Sequence, residues 1–215
     1  VRRRWPRMLI SWMRLVGGRP RDPLVARDVL VGAVAGASGI VLATLGSWLS
    51  QRVAGTAPTF AQLTHASQDS PLGFGFVLLD VFALAIIFAL GWVAMVLLLR
   101  LLLRNDRAAF VLLLVIASFA SIGDKSLPAY LIGLAVLAPL VIVFRRIGVV
   151  ALAAAFYFYY TLYFTPMTPD VAAWYAGRGF VLLAILASIG CWAFSTALAG
   201  KPIFGSLFAE PETAA

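Results

Sequence analysis

The chain has 215 residues, of which 62% are hydrophobic and 12% are charged, and its mean hydropathy is +0.97. An ordinary soluble domain carries about 25% charged residues, so this composition excludes a water-soluble globule and favours a membrane protein. It also excludes a disordered chain, which needs low hydrophobicity. The formal net charge is +8 at neutral pH. A basic chain can bind nucleic acid or a membrane surface, and the positions of its cations decide between the two.

The N-terminal segment, residues 1–28, is basic and amphipathic, and it holds eight arginines. At helical spacing its apolar side chains take one side and basic side chains take the other. The apolar set is Trp5, Met8, Leu9, Trp12 and Val16, and the basic set is Arg3, Arg7 and Arg14. This pattern predicts an interfacial helix that binds a bilayer with anionic headgroups and ends at Gly17 and Gly18. Because these cations directly precede an apolar run, no nucleic-acid partner is expected.

Six apolar stretches follow, at residues 29–49, 76–99, 108–122, 127–144, 147–164 and 180–199. A membrane-spanning helix needs about 20 residues. The third stretch has only 15 residues, but Arg104 and Arg107 precede it and can extend toward the headgroups. The sequence therefore predicts six spans, and a re-entrant pair around residues 123–126 is the alternative. Asp22 followed by Pro23 predicts a capped start for the first membrane helix.

The distribution of cations predicts the orientation, because short cytoplasmic loops are enriched in Lys and Arg. With the N-terminus inside, the inner segments hold 14 of the 17 cations, and the outer segments hold Arg52, Lys125 and Arg178. The predicted fold is therefore an all-α bundle of six transmembrane helices with both termini in the cytoplasm. Its predicted parts are the juxtamembrane segment 1–28, the membrane domain 29–199 and a short tail, 200–215.

Three residues inside the predicted spans are candidates for ligand or ion coupling: Asp80, Tyr157 and Tyr160. An intramembrane carboxylate costs about 2.5–3.5 kcal/mol at a helix centre, so Asp80 invites a functional interpretation. It lies near the outer end of its span, however, where water can reach it or Lys125 or Arg178 can pair with it. The tyrosines belong to an aromatic run that is typical of an interfacial belt, and an aromatic-lined ligand pocket is the alternative.

Small residues line two of the predicted spans. Gly32, Gly36 and Gly39 lie along the first span, and Ser188 belongs to a similar stripe along the sixth. Such stripes let helix backbones approach closely, so we expect them to mediate helix packing within one bundle. A homodimer through the first span is the alternative.

The last outer loop, residues 165–179, is long enough to hold local structure. Thr168, Pro169 and Asp170 are typical residues of a helix start, and Gly177 is a typical helix end. We therefore predict a short helix between them, lying on the outer surface.

No enzyme motif is evident in the chain. One His and one Cys cannot form a zinc site of the usual kind, and no HExxH, GxSxG or Walker pattern occurs. The HRD and DFG triplets of kinases are missing from the sequence as well. We therefore expect no metal, no cofactor and no catalytic residue here, and any enzyme activity would belong to a longer parent or a partner.

Two segments resemble a known family. They are residues 21–32, with the sequence RDPLVARDVLVG, and residues 174–205, which begin WYAGR and end ALAGKPIFG. Together with the basic, Trp-containing leader they resemble the C-terminal membrane regions of bacterial serine/threonine protein kinases of the acidobacterial type. The resemblance implies a bacterial inner membrane and a cytoplasmic kinase domain fused upstream, which the initial Val1 would suit.

The predicted function is therefore a non-catalytic membrane anchor and sensor module. A signal at the outer loops, residues 50–75 and 165–179, would shift helix packing and move the N-terminal helix. The alternative is a small six-span transporter or permease subunit, with Asp80 and the tyrosines lining a path. A purely structural membrane anchor is a third class.

Overall fold

A computed structural model describes residues 5–54, 70–121, 127–165, 167–168, 170–173 and 176–199. Within these ranges the chain forms seven α-helices and no strand, so the all-helical prediction is confirmed. The helices are α1 (Trp5–Val16), α2 (Pro23–Ala54), α3 (Pro71–Leu103), α4 (Asp106–Ser121), α5 (Leu127–Arg146), α6 (Val149–Phe164) and α7 (Ala176–Leu198). Several predictions concern residues outside the described ones: Arg3, Lys125, most of the loop 50–75, the turn 123–126 and the tail 200–215.

Four of the described helices are long and apolar enough to cross a membrane. The crossing segments are Pro23–Leu49, Leu72–Leu103, Leu127–Arg146 and Ala176–Leu198. Helix α6 is apolar but has 16 residues, as does α4. Sixteen residues rise about 24 Å, which is less than the roughly 30 Å of a hydrocarbon core. By length and composition, four of the six predicted spans are present among the described helices, and the count of six is not confirmed.

Helix α2 begins where the sequence predicts. The side chain of Asp22 accepts a hydrogen bond from the Leu24 N–H at 2.9 Å, and its carbonyl accepts one from the Ala26 N–H at 3.1 Å. Pro23 occupies the first helical position, where no N–H is needed. Helix α2 therefore crosses residue 28, where the predicted juxtamembrane segment meets the predicted membrane domain.

Helices α2 and α6 form the centre of the bundle. Helix α6 packs on α2, α3 and α5, and α7 packs on α2. The first half of α6 contains four alanines, and two of them, Ala151 and Ala155, have no exposed surface. Because the alanine side chain is small, α2 and α6 can approach each other more closely than larger side chains would allow.

Helices α3, α4 and α5 meet at one end of the bundle. The Nε of Arg100, near the end of α3, lies 3.2 Å from the Oδ1 of Asp106 at the start of α4. The ring of Phe110, also near the start of α4, meets the ring of Phe144 near the end of α5, with 5.6 Å between centroids. Helix α4 therefore runs antiparallel to both α3 and α5.

The short helix predicted in the last outer loop is wrong for the described residues. Residues 170–173 form a turn in which the carboxylate of Asp170 accepts a hydrogen bond from the Ala172 N–H at 2.9 Å. The N–H of Ala176 is already bonded to the Ala173 carbonyl at 2.9 Å, and α7 starts there. Gly177 consequently lies inside α7 and does not end a helix.

Candidate functional site

Helix α1 is docked on the bundle, where it packs on α2, α5 and α6. Ser11 is buried at 8% exposure, and Trp12 is packed against the main hydrophobic core. Met13 and Val16 are each 68% exposed. The predicted apolar face is therefore divided, with Trp12 toward the bundle and Val16 exposed. The buried side of α1 also includes a polar side chain, Ser11.

A buried hydrogen bond joins α1 to α2. The Ser11 hydroxyl donates to Oδ2 of Asp28 at 2.5 Å, and Asp28 is 1% exposed. The other carboxylate oxygen, Oδ1, accepts from Arg27, at 3.0 Å from Nη2 and 3.3 Å from Nε. A buried carboxylate is costly unless its oxygens have donors. Both oxygens of Asp28 have one here, and moving α1 away would remove the hydroxyl donor.

A second polar contact reinforces the first. The Nη1 of Arg14, near the end of α1, lies 2.6 Å from Oδ2 of Asp22, which also caps α2. The hydrogen bond from the Leu24 N–H, and after it the contact with Arg14, keeps the pKa of Asp22 below its ordinary value of 3.8, although burial acts in the opposite direction. Arg14, predicted to bind headgroups, thus has a carboxylate partner within the chain.

The α1–α2 junction therefore consists of Ser11, Arg14, Asp22, Arg27 and Asp28. Sequence reasoning misses two of its members, Ser11 and Asp28, because neither belongs to a catalytic or ligand-binding motif. A signal was present, since Asp28 is in helical register with Gly32, four residues on. A carboxylate on the face that carries the glycine stripe is turned toward the neighbouring helix, where it needs a partner. Helix α1 also contains Trp5 and Arg7, whose side chains lie outside the described part of the structure.

The predicted glycines of α2 lie against α6. A Cβ added to Gly32 would stand 2.3 Å from the carbonyl oxygen of Ala151, and one added to Gly36 would stand 2.3 Å from that of Ala155. A Cβ on Gly39 would come 3.2 Å from a tyrosine ring carbon of α6. The first two clashes are with backbone, which cannot rotate away. A dimer through Gly32 and Gly36 would therefore require α6 to leave its place.

The small-residue stripe of α7 has different surroundings. Ser188 is exposed, and its hydroxyl donates to the carbonyl of Ala184 in the same helix at 2.7 Å. A Cβ added to Gly190 would meet no atom within 4 Å, and Cys191 is exposed. Within the described part of the chain, no helix covers this stripe.

The structure does not gather the three residues proposed for ligand or ion coupling into one site. Asp80 is on the exposed side of α3, where no salt bridge from another described residue reaches it. Tyr157 and Tyr160 are partly buried in the contact between α3 and α6. Tyr160 stacks on Phe88 with 5.6 Å between centroids, and Tyr157 meets Phe82 edge to face at 6.0 Å. These rings fill a helix contact.

No protein family model, curated protein or solved structure matches the chain. The resemblance to kinase membrane regions therefore stays a prediction. What the described residues offer is an amphipathic helix tied to a membrane bundle through a buried carboxylate. Such an arrangement can transmit a change of helix position, which needs no chemistry at the site.

Proposed function

We propose that the chain is a non-catalytic membrane module that anchors a cytoplasmic serine/threonine kinase domain and couples it to the bundle. The kinase assignment is supported by the resemblance of residues 21–32 and 174–205. The coupling is carried by one observation, the buried hydrogen bond from Ser11 to Asp28. Because α1 is held to α2 there, a shift in helix packing moves α1 and the domain joined to it.

We propose further that α2 to α7 make six crossings of the bacterial inner membrane, with α1 on the cytoplasmic side. Asp80 and Arg100, the two charged residues of α3, are separated by 20 positions. This is a rise of about 30 Å, which matches the thickness of the hydrocarbon core. Asp80 then marks the outer boundary and Arg100 the inner one. The shorter α4 and α6 are accommodated by local thinning of the bilayer and by extended arginine side chains.

Helix α1 rests in the headgroup layer of this membrane. Its exposed Met13 and Val16 enter the boundary between headgroups and acyl chains, which favours apolar side chains on a basic helix. The sequence prediction adds Arg3, Trp5 and Arg7 to the residues that bind the membrane surface, because arginines attract anionic headgroups. The bundle thus holds α1 from one side while lipid holds it from the other.

The gene upstream of Val1 tests the kinase assignment. We expect an in-frame kinase domain that carries the HRD and DFG triplets missing from these residues. A stop codon directly ahead of a start codon at Val1 would overturn the assignment. Uptake of a solute by vesicles that contain the chain would instead favour the transporter alternative.

The coupling is tested by a spin label on α1 in the full chain, reconstituted in liposomes. The label is attached to Met13→Cys in a Cys191→Ser background. Because Met13 is exposed, the label does not disturb the contact between α1 and the bundle. We expect Ser11→Ala to increase the label mobility, because Asp28 loses its hydroxyl donor. Ser188→Ala is the matched control, since its hydroxyl bonds only its own helix. Equal mobility in both variants would show that the Ser11 bond does not hold α1.

A further inference from the structure

Two arginines from different helices flank one phenyl ring where α3, α4 and α5 meet. The Cζ atom of Arg100 lies 5.3 Å from the ring centroid of Phe110, and that of Arg145 lies 5.9 Å from the same centroid. Phe110 is 3% exposed and is held edge to face against Phe144. A cation over an aromatic face is attracted to it, so Phe110 holds both guanidinium groups within about 6 Å of its centroid.

The ends of α3 and α5 and the start of α4, which meet at this end of the bundle, are strongly basic. Residues 100–107 contain three arginines and one acidic residue, and α5 ends in two more arginines. We call these five residues the arginine cluster: Arg100, Arg104, Arg107, Arg145 and Arg146. The carboxylate of Asp106 lies beside Arg100, and its side chain is 49% exposed. In the α1–α2 junction, by contrast, two arginines meet two carboxylates.

Apolar side chains are exposed next to the arginine cluster. Leu97 is 39% exposed and Leu98 is 60% exposed, just before Arg100 in α3 and on the bilayer side of it in the proposed topology. The Arg100 side chain itself is 15% exposed, so its charge is largely withdrawn from solvent. A molecule that fits this surface carries a negative charge beside an apolar chain.

We propose that the arginine cluster binds the phosphate group of an anionic phospholipid, whose acyl chains run from the phosphate toward the bilayer centre along Leu97 and Leu98. The assignment rests on the proposed membrane function, because the cluster must lie at the cytoplasmic boundary of a bilayer. Guanidinium groups form paired hydrogen bonds with phosphate oxygens. Basic pockets between membrane helices on that side bind headgroups such as cardiolipin.

A phosphate held here acts on helix packing. Arg100 belongs to α3 and Arg145 to α5, and both lie over a ring of α4. A phosphate that binds both guanidinium groups offsets their positive charge and links α3 to α5 at this end. Lipid composition would then set how firmly the α3–α4–α5 end is packed.

The test uses the full chain, purified in a neutral detergent, and follows its thermal unfolding midpoint. Cardiolipin, phosphatidylcholine and inorganic phosphate are added at equal phosphorus concentration. We expect cardiolipin alone to raise the midpoint, by about 3 °C or more for a chain of this size. The double variant Arg145→Gln, Arg146→Gln is expected to lose more than half of that shift. Arg145→Gln by itself serves if the double variant unfolds before lipid is added.

A matched control is available in α2. Arg52 lies over the ring of Trp48, with its Cζ 5.0 Å from the centroid, outside the arginine cluster. Arg52→Gln removes an arginine from an aromatic ring in the same way, and we expect it to keep the full cardiolipin shift.

Three results would overturn the lipid assignment. An equal shift with inorganic phosphate would assign the cluster to free phosphate, and an equal shift with phosphatidylcholine would remove the need for a negative charge. A full cardiolipin shift in the arginine variants would place the binding elsewhere. None of these results touches the kinase assignment, which the upstream gene sequence decides.

Discussion

Helices α2 and α7 both carry small residues, yet the two stripes lie in opposite surroundings. A Cβ on Gly36 of α2 would stand 2.3 Å from a backbone oxygen of α6, whereas one on Gly190 of α7 would meet nothing within 4 Å. The hydroxyl of Ser11 in α1 donates across a helix contact to Asp28 of α2, whereas the hydroxyl of Ser188 donates within its own helix, α7. Small residues therefore mark a helix contact only where another helix covers them. Helix α2 packs on α1, α6 and α7, and the stripe of α7 lies on the side that no described helix covers.

The glycines give the largest expected effect. Gly36→Ala places a methyl group against the α6 backbone, so the helices must separate, and overpacking of this kind costs about 1–3 kcal/mol. Gly190→Ala fills open space in a helix and is expected to be neutral or to stabilise by up to about 1 kcal/mol. Unfolding midpoints of the two variants in detergent measure the difference. Equal midpoints would remove the distinction between the α2 and α7 stripes.

The carboxylates Asp28 and Asp80 give the next largest effect. Asp28→Asn weakens the bonds to Ser11 and Arg27 in a buried site, which we expect to cost about 1–3 kcal/mol. Asp80→Asn changes an exposed side chain and is expected to leave expression and topology unchanged. The yield of folded protein in size-exclusion chromatography compares them. A collapse of folded protein in the Asp80→Asn variant would identify Asp80 as a structural ion-pair partner.

The smallest expected effect concerns pH at the α1–α2 junction. The folded-state pKa of Asp22 lies below 3.8, so its stabilising contribution is present at higher pH and is lost as the pH falls through the folded-state value. The spin label on α1 should therefore become more mobile only in that acidic range. In Asp22→Asn the label should be more mobile already at neutral pH, with no acidic step attributable to residue 22. A step near neutral pH in the unaltered chain would point to a different group.

The parts of the fold that local sequence determines are predictable. The Asp22–Pro23 start of α2 and the amphipathic α1 each follow from a few neighbouring residues, and both are present. The register of Asp28 with Gly32 indicates which face of α2 it lies on. The partner that covers Asp28 and the division of the α1 face depend on which helix packs beside them, and no local pattern contains that information. Among the described residues, no short helix precedes Gly177, and α7 begins at Ala176, ahead of the apolar run that starts at residue 180.

The central claim is that six helices cross the membrane with α1 on the cytoplasmic face, and thiol labelling tests it most directly. In a Cys191→Ser background, single cysteines replace Asn105, Leu127, Arg146 and Asp170, and an impermeant maleimide is added to intact spheroplasts. We expect labelling of Leu127→Cys and Asp170→Cys from outside, and of Asn105→Cys and Arg146→Cys only after permeabilisation. Protection of Leu127→Cys until the membrane is opened would contradict the account, because α4 and α5 would then form a re-entrant pair.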